Sequence, residues 1–452
     1  MARPGERDRG AGAGPDQGQG PGGEDPQAGT ADEARLPALQ GPARVPGSHG
    51  PDRGLTFKDF YQFASPTRVV CGRELLASAG FEFAKQGAER VLVVTDQVIR
   101  ATGLVEKVEG GVADGGLEVA GIFDDVPQDS DTAVVTRCAE QAMEAGADSF
   151  LAVGGGSVID TTKGANVVFS HGGAIPDWEG VFQLPRERDG MGRPLPLAPL
   201  GAIPTTAGTG SEASPVAVIK DSERGVKVLL LDFPLAPDLA ILDPESTATL
   251  PAPIAAATGM DALTHAIEGV TSTEWSPHGD AHALHALRLI SDNLERAVGD
   301  TSDEDARGNM LVAANLAIAP TGFGATGITH SMSHPCGARY GVPHGVANAI
   351  NLPPVIEFNA VVSEEVADQF RDAAEVLGVD ARGGGQRIGR TLADHVRELR
   401  GRLGLPGRLS EVGVPEEGIS RLAEDAMGEG STLVNPRQPS EEDFVELFQQ
   451  AL

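Results

Sequence analysis

Asp261 and His265 stand four residues apart in Thr258-Gly-Met-Asp261-Ala-Leu-Thr-His265-Ala-Ile-Glu268, and a helix would project both from one face. The same spacing recurs in Gly327-Ile-Thr-His330-Ser-Met-Ser-His334-Pro335-Cys336-Gly337. Beyond glycine breaks that let the chain double back, Tyr340-Gly-Val-Pro343-His344-Gly345 adds one more imidazole. One carboxylate and three imidazoles can close around a divalent cation and leave a position for substrate. A cation so placed can act as a Lewis acid toward a substrate oxygen. With nitrogen and oxygen donors alone, Fe2+, Zn2+, Mn2+ and Ni2+ all suit the set. His278, His282 and His285 lie on another helical stretch and read as surface residues.

A second kind of chemistry is written into two loops. Val153-Gly154-Gly155-Gly156-Ser157-Val158-Ile159-Asp160 follows an apolar run and opens a helical pattern. Bare backbone and first-turn N–H groups at such a junction suit an anion, and a pyrophosphate above all. The competing explanation is a tight turn that needs left-handed backbone. Gly201-Ala-Ile-Pro204-Thr205-Thr206-Ala-Gly208-Thr209-Gly210-Ser211-Glu212 offers short hydroxyl donors at the end of another apolar run. Two such loops point to a dinucleotide crevice. Asp96, ending the run Arg90–Thr95, can accept ribose hydroxyls and would repel a 2′-phosphate, which favours NAD over NADP; it can equally cap the next helix. Lys163 and Lys227 stand out in a lysine-poor chain as groups that could offset cofactor phosphates.

The elements that must position these residues follow from hydrophobic patterning. Short apolar runs at 90–96, 149–153, 200–203 and 239–242, separated by helix-length segments, predict buried parallel strands of an α/β sheet. After Pro251, helical spacing over 254–270, 280–297, 304–319 and 364–377 predicts an all-helical region. Asp243-Pro244 and Leu250-Pro251-Ala252-Pro253 break the chain between the two. Residues 1–54, rich in Gly, Pro and Arg and poor in large apolar side chains, predict a disordered tail. The expected organisation is therefore a tail over 1–54, an α/β nucleotide-binding domain over 55–248 and a helical domain over 249–452.

Composition narrows the partners. The 452 residues carry 65 Asp and Glu against 35 Lys and Arg, a net charge of −30, and no basic cluster that would hold nucleic acid. Three scattered cysteines imply no disulfide framework and a reducing, cytoplasmic setting. No apolar stretch is long enough to span a membrane, and the tail lacks the apolar segment of a secretory signal.

Taken together the chain resembles the iron-containing (group III) alcohol dehydrogenase family from about Phe60 onward. The carriers are GGGSVID at 154–160, PTTAGTGSE at 204–212, GMDALTHAIEG at 259–269, GITHSMSHPCG at 327–337 and PHGVANAI at 343–350. The resemblance implies an N-terminal α/β nucleotide-binding domain, an all-helical C-terminal domain, and reversible hydride transfer between an alcohol and NAD. It implies Asp261, His265, His330 and His344 as ligands of a divalent metal, Fe2+ before Zn2+, with His334 near the substrate for proton relay. By the same resemblance Asp96 binds the adenosine ribose, Gly155, Gly156, Ser157 and Asp160 the pyrophosphate region, and Thr205, Thr206, Ser214 and Lys227 further parts of the cofactor. A homodimer or larger assembly is the family-level expectation. Departures are Gln128 where many members carry Asn, Ser214 where Thr is common, and Cys336, which places a thiol beside the proposed site. The same fold also serves dehydroquinate-synthase-like and polyol-phosphate enzymes. Reduction of a phosphonate- or carboxylate-bearing aldehyde and non-catalytic binding of NAD are open to these motifs as well.

Overall fold

The computed structural model describes residues 61–185, 196–319 and 326–452, and the expected tail lies outside them. Nine strands occur among the described residues: β1 (Arg68–Cys71), β2 (Arg90–Val94), β3 (Glu118–Phe123), β4 (Ser149–Gly154), β5 (Gly180–Val181), β6 (Leu200–Pro204), β7 (Val216–Asp221), β8 (Val226–Leu231) and β9 (Leu239–Leu242). Six of them form one sheet in the order β1-β9-β6-β4-β2-β3, with every pairing parallel. The four expected strands are β2, β4, β6 and β9, which occupy the middle of this sheet. Burial on both faces is why they read as unbroken apolar runs. Along β2 the side chains alternate, with Val91 and Val93 entering one core and Leu92 and Val94 the other. Helices α1 (Ala79–Phe83) and α3 (Leu104–Asp114) cover the first face. Helices α4 (Thr132–Ala145) and α5 (Gly156–His171) cover the second, and a short helix, α2 (Gln97–Arg100), follows β2.

Strand order decides where a ligand can enter. From β2 the chain moves to β3 at one sheet edge, whereas from β4 it returns to this sheet on the opposite side at β6. The chain therefore diverges at the carboxyl ends of β2 and β4, which leaves a crevice there. Asp96 and the glycine loop flank that crevice. A second sheet, β5-β8-β7, was not anticipated; its β7–β8 pair is an antiparallel hairpin turning at Gly225, where φ is 66°.

Beyond β9 the chain is helical: α6 (Ala252–Thr271), α7 (Pro277–Gly299), α8 (Glu304–Ile318), α9 (Ile328–Tyr340), α10 (His344–Asn359), α11 (Glu364–Val376), α12 (Gly385–Arg402), α13 (Ile419–Met427) and α14 (Glu441–Ala451). Most of these bury a single stripe. In α12, for instance, Ile388, Leu392, Val396 and Leu399 face inward, the pattern of a helix with one wet side. α6 differs, because every residue from Gly259 to Thr271 is buried. It is the central helix, enclosed by α7, α8, α10 and α11. Exposed His278 and half-buried His282 on α7 pack against the rings of Tyr61 and Phe63. Among the described residues no helix is long and apolar enough to cross a membrane.

Two glycines test this packing from opposite directions. A Cβ at Gly345 would lie 2.1 Å from the Ala257 carbonyl oxygen of α6, so α10 can seat there only without a side chain. Gly110, exposed within α3, meets nothing within 4 Å. Gly345→Ala is expected to cost about 2 kcal/mol or more, while Gly110→Ala should add about 0.5–1 kcal/mol through helix propensity. Denaturant unfolding of the two variants checks both signs.

Candidate metal centre and cofactor cleft

The central position of α6 explains how three ionisable groups come to be buried together. Asp261, His265 and Glu268 project at i, i+4 and i+7 and are 2 %, 5 % and 4 % exposed. α9 brings His330 alongside, and Asp261, His265 and His330 offer donor atoms within 4.8 Å of one another. Nε2 of His265 and Nε2 of His330 face each other at 3.1 Å. His344 is the first residue of α10, reached through the left-handed Gly341 and then Val342-Pro343. Its Nε2 lies 3.5 Å from Asp261 Oδ1, and its side chain, 34 % exposed, stands at the mouth of the cluster.

These residues fit a divalent cation. A carboxylate oxygen and imidazole nitrogens converge on one place, with Nε2 of His265 and Nε2 of His330 only 3.1 Å apart. The amide Nδ2 of Asn348 lies among the acceptors, 2.7 Å from Asp261 Oδ1 and 3.2 Å from Nε2 of both His330 and His344. Burial opposes the charge of Asp261, but His265, His344 and His330 outweigh it and hold the carboxyl well below its usual range. Burial takes His265 down to about 4, with Asp261 opposing, and lowers His344 well below an ordinary histidine. An ionised carboxylate and neutral imidazoles are the protonation states that ligation requires. His330 runs the other way: burial again disfavours charge, yet Glu268 and Asp261 raise it to about 9. Glu268 Oε2 accepts from His330 Nδ1 at 2.5 Å, so a second proton at Nε2 would hold the position a cation takes.

His334, one turn beyond His330, is 19 % exposed, and its ring stacks on that of His344 with centroids 5.4 Å apart. Its Nδ1 bonds Glu429 Oε2 at 2.8 Å. Cys336 does not stand beside the site as expected. It is fully buried in the apolar cluster with Ile328 and Met332, and burial pushes its thiol up to about 12.

Across from this cluster the two loops meet. A Cβ on Gly156 would lie 2.9 Å from Thr209 Cγ2, and one on Gly155 would lie 3.3 Å from Thr206 Cγ2. Neither glycine has positive φ, so the tight-turn explanation fails and close approach is what the glycines serve. Gly155, Gly156, Ser157, Thr206 and Thr209 remain partly exposed at this surface, whereas Thr205 and Ser214 are buried. Asp160 turns inward, accepting from Ser211 Oγ at 2.5 Å and from the Val218 amide at 3.1 Å. Lys163 corrects the sequence reading more sharply. It is fully buried, and its Nζ donates to Ser211 Oγ and to the carbonyls of Ser214 and Val216. It braces the second loop from beneath and does not reach toward a ligand. Burial lowers it to about 8, against the pull of Asp160 and Glu212. Lys227 is accessible, pairs with Asp129 Oδ1 at 3.1 Å, and adds to the positive field at His344. Asp96 caps α2 through Oδ1, which accepts from the Ile99 amide at 2.8 Å.

The second loop also abuts the metal half. A Cβ at Gly208 would lie 2.5 Å from the Thr258 carbonyl of α6, and one at Gly210 would lie 2.6 Å from Ile318 Cβ of α8. The second loop thus ends beside the helix that carries Asp261 and His265. Residues 66–244 match the family model of iron-containing alcohol dehydrogenase, and 255–452 match the C-terminal model of the Fe-containing alcohol dehydrogenase family. The chain belongs to the iron-containing alcohol dehydrogenase family. As a member it is an oxidoreductase acting between alcohols and carbonyl compounds. It is 36 % identical over 391 residues, 86 % of this chain and 99 % of the other, to an NAD-dependent methanol dehydrogenase of Bacillus methanolicus. A solved 1,3-propanediol oxidoreductase matches with a TM-score of 0.81 at 32 % identity, over 87 % of this chain and 100 % of that one. A sulfoacetaldehyde reductase from Bifidobacterium kashiwanohense, solved with NAD+, matches with a TM-score of 0.77 at 26 % identity, over 87 % and 99 % of the two chains.

Within this alcohol dehydrogenase, sequence reasoning passed over Glu268, Asn348, Thr209 and Glu429. Glu268 had a signal, since it lies one turn past His265 on the same face. Its two oxygens accept from the Gly327 and Thr329 amides at 2.8 and 2.7 Å as well as from His330. Such a carboxylate fixes the tautomer and ring orientation of a ligating histidine. Glu268→Gln would set an amide NH2 against one of these N–H donors. Metal affinity should fall about 10–100-fold, as measured by competition with a chromogenic chelator; unchanged affinity would leave Glu268 a purely structural anchor.

Proposed function

We propose that the enzyme interconverts a primary or secondary alcohol and its aldehyde or ketone, using NAD(H) and a divalent cation held by Asp261, His265, His330 and His344. The observation that carries this is the convergence of one buried carboxylate and three imidazoles where the two-loop crevice ends. When bound, the cation supplies Lewis acidity toward the substrate oxygen and NAD(H) accepts or donates the hydride. The chain's own work is to bring the two together. Residues 55–248 would hold the cofactor, with Gly155, Gly156, Ser157, Thr206 and Lys227 at its phosphates and nearby hydroxyls. In this region Asp160, Thr205 and Ser214 support those contacts from below. Residues 249–452 would hold cation and substrate, and His334, more accessible than His330, carries the hydroxyl proton outward. Glu429 beside His334 and the pairing of Lys227 with Asp129 favour an uncharged substrate over a phosphonate or carboxylate aldehyde. Fe2+ is the proposed metal, with Zn2+ the main alternative, and a homodimer or larger assembly in the cytoplasm is the proposed state.

Chelator-stripped protein, verified by elemental analysis, should lose at least 100-fold in acetaldehyde-dependent NADH oxidation and regain it on addition of Fe2+ or Zn2+. NADH affinity by fluorescence should change less than about threefold, because the loops do not need the cation. Native turnover in the stripped protein would overturn the metal's role. For Asp96, substitution by Asn separates its two roles, since Asn caps a helix as well as Asp does. Asp96→Asn should keep the melting temperature but weaken NAD and shift the NAD/NADP preference toward NADP. An unchanged ratio would make Asp96 a cap alone.

A further inference from the structure

We propose that Glu429 is a positioning residue that fixes the tautomer and orientation of His334; this rests on the proton-transfer role of His334 given above. A carboxylate only accepts hydrogen bonds, so the 2.8 Å contact from Glu429 Oε2 places the hydrogen of a neutral His334 on Nδ1. Nε2 is then the atom with the lone pair, able to take the proton that leaves a substrate hydroxyl. That O–H bond breaks as Nε2–H forms, the other hydrogen stays on Nδ1 in its bond to Glu429, and the Nε2 proton passes on to water. Without the carboxylate the neutral ring samples both tautomers, and only one can act.

Glu429 lies 95 residues from His334 in the chain, yet its position is closely determined. It opens the turn Gly430–Val434, and that turn is tied to the start of α9. Thr432 Oγ1 donates to the Ala426 carbonyl at 3.0 Å and accepts from Ser331 Oγ at 2.9 Å. Hydroxyls of Thr326 and Ser431 meet at 2.9 Å. Asn435 Nδ2 donates to Asn359 Oδ1 at 2.8 Å, while Asn435 Oδ1 accepts from the Ile328 amide at 3.4 Å. Thr432, Ser331, Asn359 and Asn435 are all buried. Buried polar groups must be satisfied in place, so they lock the turn to the helix that carries His334. The carboxylate itself is 31 % exposed, and a pair of that kind adds little to stability. Its consequence is the orientation of the imidazole.

A double-mutant cycle on the metal-loaded enzyme, assayed with acetaldehyde and NADH, tests this. Glu429→Ala should lower kcat on the order of tenfold with KM, metal content and melting temperature near native. Glu429→Gln, whose carbonyl can still accept from Nδ1, should recover part of the loss. In the His334→Ala background, adding Glu429→Ala should change kcat less than twofold. Equal losses in both backgrounds, or native kcat in the single Glu429→Ala variant, would overturn the positioning role alone. Native kcat in His334→Ala would overturn the role of His334 and this one with it.

Discussion

The centre depends on keeping one carboxylate ionised where water cannot reach it. Asp261 is nearly fully buried on a helix whose every residue from Gly259 to Thr271 is buried, and an unpaired charge there would be strongly destabilising. The surroundings answer with imidazoles from three helices and the amide of Asn348. Each of those needs its own support, which is why Glu268, itself buried, holds His330 and two backbone amides. The polar cluster is thus a chain of obligations that starts at Asp261 and ends at the accessible edges of His344 and His334.

The cofactor side solves the mirror-image problem with a buried cation. Lys163 lies beneath the second loop and takes two carbonyls and a hydroxyl, with Asp160 at 3.8 Å. The lysine that looked available for phosphate is therefore spent inside the protein, and what faces the crevice is glycine backbone, small hydroxyls and Lys227. In a chain of net charge −30, the proposed binding of an anionic cofactor would rest on local attraction from backbone N–H groups at the start of α5.

Much of this was legible in the sequence, for identifiable reasons. Strands buried on both faces announce themselves as apolar runs, so β2, β4, β6 and β9 were read. The short edge strand β1 and the β7–β8 hairpin were not, because partial exposure dilutes their pattern. Asp261 with His265, and His330 with His334, stood out through four-residue spacing, whereas choosing His330 over His334 for the cluster came from the family resemblance. Cys336 was misjudged where helix geometry could have helped: two residues beyond His334 is about 200° around the helix, on the far face. Glu429 carried no signal at all, since nothing in Gly428-Glu429-Gly430 tells that a turn packs onto α9. Lys163 lies in a helix buried over 158–168 except at Asp160, and that apolar surrounding was the available clue to its burial.

The central place of α6 has a consequence for the order of assembly. As the chain is synthesised, α6 emerges with Asp261, His265 and Glu268 on a surface whose partners, His330, His344 and Asn348, come 62 or more residues later. Packing apolar helices around α6 before α9 and α10 arrive would strand those ionisable groups without partners. The helical half is therefore built to close in one cooperative event, with α6 folding from inside the group and not ahead of it.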